Sequence, residues 1–270
     1  MLYVGERNYG CRFLEVSLLG LRTVILENEK IRLMILMDKG TDIIEFNLKS
    51  TDTNFIWRTP IGLSCLRKAQ SYRQNALLDT YTGGWFEAFP NVGSDTTYKG
   101  APLPGYAEVC YLPWEYAVEV DSPEQVSLRC FIRGTLMPYR LEKTLTLKSG
   151  IPALLIEENV TNEGREPMPF QWGHHPNFGA PFLDGNCRID LPQCDVRVMG
   201  GGGPADRTAK DAAGKWYLLP GKNGGWVDLR QVPAAGAGTN ELFWLSNLQG
   251  NWAAVRNPLQ GVGIGLAWDP

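Results

Sequence analysis

The sequence predicts an all-β protein built as a large antiparallel β-sandwich. Apolar and polar residues alternate with a period of two along most of the chain. Short segments of this kind follow one another at close spacing, with Gly, Pro, Asn or Ser between them. Helical periodicity is scarce, with one candidate helix over residues 64–78. Because no linker interrupts the series, we expect one domain over residues 1–270.

The strands are predicted from alternation and from the turn residues between them. They are placed at 30–37 with 42–48, 115–121 with 125–133, 140–148 with 153–162, and in the series 241–247, 251–257 and 261–268. Residues 83–106 and 199–240 are expected to be loops by composition. The last strand runs directly into Pro270, so we expect a C-terminally incomplete domain.

Composition excludes several functional classes. The hydrophobic fraction is 44%, which fits a packed core, and a net charge of −3 offers no basic stripe for a nucleic acid. No apolar run approaches the ~18 residues of a membrane span, and no secretory signal is visible, so the expectation is a cytoplasmic protein with no membrane partner. Six cysteines without a C-x-x-C pair indicate free thiols, and two histidines leave little for a metal site.

The two histidines are adjacent, in the sequence QWGHHPNFG over residues 171–179. Neighbours on a strand point to opposite faces, so at most one of them faces a given pocket. Pro176 holds the preceding residue extended, which presents His175 stiffly. Imidazole titrates near neutral pH and suits general acid or base catalysis. A hydrogen-bonded structural histidine is the alternative interpretation.

A second segment combines glycines, an aromatic ring and polar groups in the sequence GGWFEAFPNVG, residues 83–93. Gly84 permits close backbone approach, Trp85 offers a flat apolar face, and Glu87 and Asn91 offer hydrogen-bonding groups. This mixture suits a sugar, although an aromatic loop packed on a sandwich has the same composition.

A third segment, residues 104–115, carries a carboxylate at Glu108. A carboxylate near a pocket is a candidate proton acceptor. A carboxylate at a solvated strand end is the alternative interpretation.

Together these segments resemble the aldose 1-epimerase (galactose mutarotase-like) superfamily, in particular its bacterial branch. The resemblance rests on MDKGTDIIEF, GGWFEAFPNVG, AEVCYLPWEY and QWGHHPNFGAPFL, which occur in the family's order over about residues 38–183. It implies a galactose mutarotase-like supersandwich with a sugar site, and interconversion of the α and β anomers of a free sugar by acid–base ring opening. It implies no cofactor and no metal.

The resemblance also implies roles for individual residues. His175 matches the family histidine assigned as the acid toward the ring oxygen. The residues expected to contact the sugar are Gly84, Trp85, Asn91, Tyr106, Trp172, His174 and Lys39.

Two departures from the family leave the function open. Tyr106 stands where relatives often carry a histidine, and a phenol with a pKa of ~10 is a poor proton shuttle at neutral pH. The family's catalytic glutamate has no counterpart. The base is then Glu87 or Glu108, or the chain is a carbohydrate-binding relative without turnover or an inactive fragment. An unpaired terminal strand tends to pair with another chain, which makes a homodimer a further expectation.

Overall fold

The computed structural model describes residues 7–60, 62–63, 81–200 and 203–270. The chain forms two compact units, residues 1–178 and 179–270, so the expectation of one domain stays a prediction. The helix predicted over residues 64–78 lies outside the described residues. Among the helices that the described residues form, none is long and apolar enough to cross a membrane.

The larger sheet of the first unit contains seven strands. In spatial order it consists of β1 (Arg12–Leu18), β2 (Leu21–Glu27), β3 (Ile31–Leu36), β4 (Asp42–Leu48), β6 (Trp85–Ala88) and β13 (Gly173–Pro176), with β5 (Thr53–Asn54) paired to β4. Every pairing is antiparallel. The predicted strands at 30–37 and 42–48 are therefore confirmed as neighbours in one sheet.

The second sheet of this unit has four antiparallel strands. Its order is β12 (Leu155–Asn162), β11 (Tyr139–Lys148), β10 (Gln125–Arg133) and β9 (Glu115–Asp121). A small hairpin, β7 (Thr96–Tyr98) with β8 (Ala101–Leu103), lies in the chain between β6 and β9. These pairings confirm the strands predicted over residues 115–162.

The two sheets pack against each other as a sandwich. Phe13 on β1 lies 5.9 Å from Tyr116 on β9, and Phe89, just after β6, lies 4.7 Å from Tyr139 on β11 (distances between ring centroids). Alternate residues of β11 point inward and are buried, as a period of two requires. Lys143 is the charged residue of that inward row, so an ammonium group enters the core and needs partners there.

The second unit has shorter strands. One sheet consists of β14 (Arg188–Asp190), β20 (Trp252–Asn257) and β21 (Val262–Ala267), a second of β16 (Ala213–Lys215), β15 (Asp195–Val198) and β19 (Phe243–Ser246), and a two-stranded sheet of β17 (Leu218–Pro220) and β18 (Trp226–Asp228). Val196, Trp216, Leu219 and Leu229 are among the residues of its core. The all-β antiparallel class is thus confirmed in both units.

The predicted loops are partly wrong. Residues 83–106 contain β6, β7 and β8, and residues 199–240 contain β16, β17 and β18. These strands have three or four residues, which is too short for alternation to appear in the sequence. The last three predicted strands are present, but β19 belongs to a different sheet from β20 and β21.

Candidate functional site

The pairing of β6 with β13 places the two histidines. His174 lies opposite Glu87 and His175 lies opposite Phe86. Residues directly opposite each other in an antiparallel pair share a face, so the two imidazoles are on opposite faces of the sheet, as strand alternation predicts.

The face of His175 is aromatic. The His175 ring stacks on Phe86 with centroids 4.6 Å apart and an interplanar angle of 16°, and Tyr106 meets it edge-on at 5.8 Å. Phe86 itself is buried, whereas His175 and Tyr106 are half-buried. This face therefore combines one imidazole and one phenol on an apolar floor.

Burial sets the protonation state of His175. Removal of the ring from water lowers its pKa below the ordinary value of 6.5, so the imidazole is neutral at pH 7. Its Nδ1 atom is buried and has no hydrogen-bond partner among the described residues. A neutral imidazole accepts a proton through one nitrogen and donates through the other.

Hydrogen bonds fix the backbone that carries His175. The Asn177 side chain donates to the carbonyl oxygens of Gly84 (2.5 Å) and His175 (3.2 Å), and accepts from the hydroxyl of Tyr81 (2.6 Å). Gly84 has φ of 80° and donates its N–H to the carbonyl of Trp57 at 2.8 Å. Gly84 therefore supports the site from the backbone. Sequence reasoning missed Phe86, Tyr81 and Asn177, although Asn177 lies within the same H-P-N-F motif.

The opposite face is an ionic cluster between the sheets. Glu87 is 1% exposed and accepts from the Lys143 ammonium at 2.8 Å and from the Trp172 indole at 2.6 Å. Glu158 on β12 and His174 complete the cluster, with His174 Nε2 2.9 Å from Glu158 Oε2. We call Glu87, Lys143, Glu158, His174 and Trp172 the inter-sheet cluster.

Glu87 is therefore poorly placed to act as the predicted base. It lies on the other side of the sheet from His175, so one sugar ring cannot meet both groups from a single pocket. Both of its oxygens already have donors. Trp85 and Trp172, predicted as sugar contacts, point to this same face, where the Trp85 indole donates to His174 Nδ1 at 3.1 Å.

The hydrogen bonds of the inter-sheet cluster already occupy atoms that a metal ion would need as ligands. Glu87, Glu158 and His174 offer ligand atoms that lie within 4.8 Å of one another. However, an indole N–H only donates, so His174 Nδ1 accepts from it and a neutral ring carries its proton on Nε2, toward Glu158. Burial alone lowers the pKa of Lys143, but the Glu87 and Glu158 carboxylates raise it above its usual range, so an ammonium already supplies the positive charge.

Glu108 also differs from its predicted role. It is 3% exposed, and its carboxylate accepts from the backbone N–H groups of Thr135 and Leu136 at 3.0–3.2 Å. The hydroxyls of Thr135 (2.5 Å) and Tyr139 (3.1 Å) donate to it as well. This carboxylate organises the chain before β11 and has no oxygen left for a sugar hydroxyl.

We predict that Glu108→Gln destabilises the protein but leaves the turnover of folded molecules unchanged. The amide replaces one acceptor oxygen with a donor, which leaves a buried N–H or hydroxyl unpaired at about 1–3 kcal/mol each. Urea unfolding at pH 7 measures the loss, with the exposed Glu124→Gln as the matched control. If Glu108→Gln folds but has lost turnover, Glu108 is the catalytic base after all.

Two further predicted sugar contacts serve the structure. Asn91 is buried and donates to the carbonyl oxygens of Ser94 (2.9 Å) and Pro104 (3.0 Å), which shapes the loop after β6. Lys39 is buried and forms an ion pair with Asp42, whose pKa is raised by burial and lowered in part by the Lys39 charge. The structure thus divides the predicted site residues between the two faces of the sheet. His175 and Tyr106 meet on one face, with Gly84 behind them. Glu87, Trp85, Trp172 and His174 come together on the other.

The five described cysteines carry free thiols, and all five are buried. Burial raises the pKa of both Cys110 and Cys130 to about 12. The Cys110 thiol donates to the carbonyl oxygen of Tyr106 at 3.1 Å, which links it to the loop that carries the candidate phenol. Cys65 lies outside the described residues.

Comparison with known proteins identifies a family and a fold. The model of a domain of unknown function, DUF4432, matches residues 19–226. No curated protein matches the sequence. A candidate aldose 1-epimerase from Klebsiella pneumoniae superimposes with a TM-score of 0.66 at 14% identity, covering 95% of this chain and 67% of that one.

Two other solved structures share the architecture. A galactose mutarotase-like protein from Clostridium acetobutylicum superimposes with a TM-score of 0.62 at 13% identity, covering 94% of this chain and 80% of that one. A TPR-domain containing protein from Parabacteroides distasonis gives 0.58 at 13% identity over 92% of this chain, which spans 36% of that protein's length. The chain belongs to the DUF4432 family and has the fold of the galactose mutarotase-like proteins.

Proposed function

We propose that this protein interconverts the α and β anomers of a free sugar on the face of His175. The observation that carries the proposal is a neutral imidazole held on an apolar aromatic floor, with a phenol beside it. The mutarotase-like fold supports it. The C–H faces of a pyranose match aromatic rings such as Phe86 and Tyr106, and its hydroxyls match the imidazole and the phenol.

The chemistry needs one proton to move between two oxygens bonded to the same carbon. Neutral His175 accepts the proton of the C1 hydroxyl, and the imidazolium so formed gives that proton to the ring oxygen as the bond between C1 and the ring oxygen breaks. The imidazole is neutral again at the end of the step. The product is the open aldehyde. Rotation about the bond from C1 to C2 and closure by the reverse transfers give the other anomer. Tyr106 donates a hydrogen bond that orients the sugar, which a phenol does without losing its proton.

The lowered pKa of His175 predicts the pH dependence of the reaction. The active form is neutral, so the rate rises as the pH increases through the pKa of His175 and is constant above it. Because that pKa is below 6.5, we expect the half-maximal rate below pH 6.5 and no further rise above neutrality. Anomer exchange rates measured from pH 4 to pH 8 check this profile. A rate that falls with rising pH would show that the protonated imidazole is the active form.

The experiment that tests the activity is exchange spectroscopy by NMR between the two anomers. Purified protein is added to a panel of hexoses, pentoses and acidic sugars, and the exchange rate is compared with that in buffer alone. Acceleration for at least one sugar, proportional to protein concentration, supports the proposal. No acceleration for any member of the panel contradicts it.

Sugar binding without turnover is the second candidate, and one observation favours it. Glu87 and Glu108 are held by partners away from His175, and the described aromatic side chains that contact the His175 ring are Phe86 and Tyr106. Neither predicted carboxylate base therefore reaches His175, which is compatible with binding alone. Saturable shifts of protein resonances on addition of sugar, without faster anomer exchange, would identify this second function.

A further inference from the structure

A second concave surface lies on the first unit, between the β7–β8 hairpin and residues 169–171. It is an open groove of about 370 Å³, which falls within the usual size range of ligand sites. The side chains of Leu103 and Met137 are buried beneath it. None of the residues that contact the His175 ring lines it. We call it the hairpin groove.

The lining of the hairpin groove is uncharged. It offers the hydroxyls of Ser94, Thr96 and Thr97, the rings of Tyr98 and Phe170, and the amide of Gln171. Within the described part of the chain, no Asp, Glu, Lys or Arg side chain lines it. An ionic ligand would find no counter-charge here, whereas hydroxyls and apolar C–H faces have matching groups.

Two of these groups are held ready to contact a ligand. Phe170 is 54% exposed and packs one side of its ring on Phe89, with centroids 5.3 Å apart. Gln171 Oε1 accepts from the backbone N–H of Val92 at 3.3 Å, which fixes the amide and leaves its NH₂ end to donate. An anchored ring beside an anchored amide is a preorganised pair, so little side-chain freedom is lost on binding.

The hairpin itself is tied across the groove. Its turn residues Lys99 and Gly100 both have positive φ, 49° and 84°, as tight hairpin turns require. The Lys99 ammonium pairs with Glu166, and the side chain of Asn162 donates to the Glu166 carbonyl oxygen at 2.8 Å. The tip of the hairpin is thus connected to the segment that leads to Phe170 and Gln171. An exposed ion pair therefore bridges the two walls of the groove at its outer edge.

We propose that the hairpin groove is a saccharide-binding site distinct from the face of His175. A neutral sugar ring stacks on Phe170, and its hydroxyls contact the Gln171 amide and the hydroxyls of Thr96 and Thr97. This site holds a sugar without reacting with it. The proposal does not depend on anomer exchange, since it uses none of the groups that would move a proton.

The probe is a methyl glycoside, because its blocked C1 oxygen prevents ring opening. Methyl α-D-glucopyranoside, methyl β-D-galactopyranoside and methyl β-D-maltoside are titrated into the ¹⁵N-labelled protein. We expect saturable shifts of the backbone amides of residues 94–98 and 170–171 for at least one probe. No shift there up to tens of millimolar of any probe overturns the proposal.

Three variants separate this site from His175. Phe170→Ala is expected to weaken binding of the methyl glycoside at least tenfold, while Trp226→Ala, an exposed aromatic of the second unit, leaves it unchanged. His175→Gln is expected to leave the binding intact. If Phe170→Ala does not fold by circular dichroism, Gln171→Ala takes its place. Shifts that disappear in His175→Gln, or that survive unchanged in the folded groove variant, contradict the assignment. Absence of anomer exchange in the wild type would not affect this result.

Discussion

Replacement of His175 by glutamine is expected to remove the acceleration of anomer exchange. Proton transfer by a positioned side chain contributes about 10²–10⁴-fold to a rate, and the amide of glutamine has no comparable basicity. The ring stacks on Phe86 and is only half-buried, so glutamine can occupy the position without a buried charge. Exchange spectroscopy on the most responsive sugar of the panel measures the loss.

The neighbouring histidine supplies the control. His174→Gln changes the same residue type one position earlier, but its side chain lies on the other face of the sheet against Glu158. We expect this variant to keep the exchange rate of its folded fraction. If both variants lose activity equally, the effect is one of folding and the role assigned to His175 is wrong. If His175→Gln keeps the wild-type rate, the proton is moved by another group.

Replacement of Lys143 by methionine is expected to destabilise the first unit by about 3–5 kcal/mol. Lys143 Nζ lies 2.8 Å from Glu87 and 4.0 Å from Glu158, and its side chain is 6% exposed. Without the ammonium, the buried carboxylate of Glu87 and the partly buried carboxylate of Glu158 lose their shared positive partner. Glu158 Oε1 already has no hydrogen-bond partner among the described residues. Urea unfolding at pH 7 measures the change.

The matched control is Lys148→Met, an exposed lysine at the end of the same strand. The double variant Lys143→Met, Glu87→Gln is expected to recover part of the loss, because it removes one of the two uncompensated charges. A Lys143→Met protein within 1 kcal/mol of the wild type would contradict the inter-sheet cluster as a source of stability; that limit is roughly the size of one ordinary hydrogen bond.

The inter-sheet cluster also makes the free energy of unfolding of the wild type depend on pH in the acid range. Burial opposes ionisation of Glu158, but hydrogen bonding to His174 and the charge of Lys143 hold its pKa below the ordinary value of 4.5. A carboxylate with a lowered pKa contributes stability that is fully present above its unfolded value. That contribution is lost as the pH falls through the lower folded value.

The strands could be predicted because alternation is a local property. The segments at 115–121 and 125–133 coincide with β9 and β10, because these strands have seven and nine residues, which is long enough for alternation to appear in the sequence. The strand β6 has four residues, three of them buried, and therefore shows no alternation to recognise. Its position at the centre of the site came from pairing with β4 and β13, which are distant in the chain.

The candidate site was only partly predictable for a related reason. The presentation of His175 follows from its own strand and from Pro176, both local features. The roles of Glu87 and Glu108 depend on Lys143 and on residues 135–139, which approach them through the second sheet. The sequence around a carboxylate does not show which distant residues bind it. Both glutamates were therefore candidate bases in the sequence, whereas in the structure their oxygens are bound by these partners.

The buried cysteines make thiol chemistry a measure of local opening. A thiol with a pKa of about 12 has almost no thiolate at neutral pH, and the thiolate is the species that alkylating and oxidising reagents attack. Cys130 lies within β10, and Cys110 lies beneath the loop that carries Tyr106. Modification at each position therefore proceeds only as fast as that part of the protein opens. The modification rate of Cys130 therefore reports the opening of the second sheet, and that of Cys110 reports the opening of the loop at the candidate site.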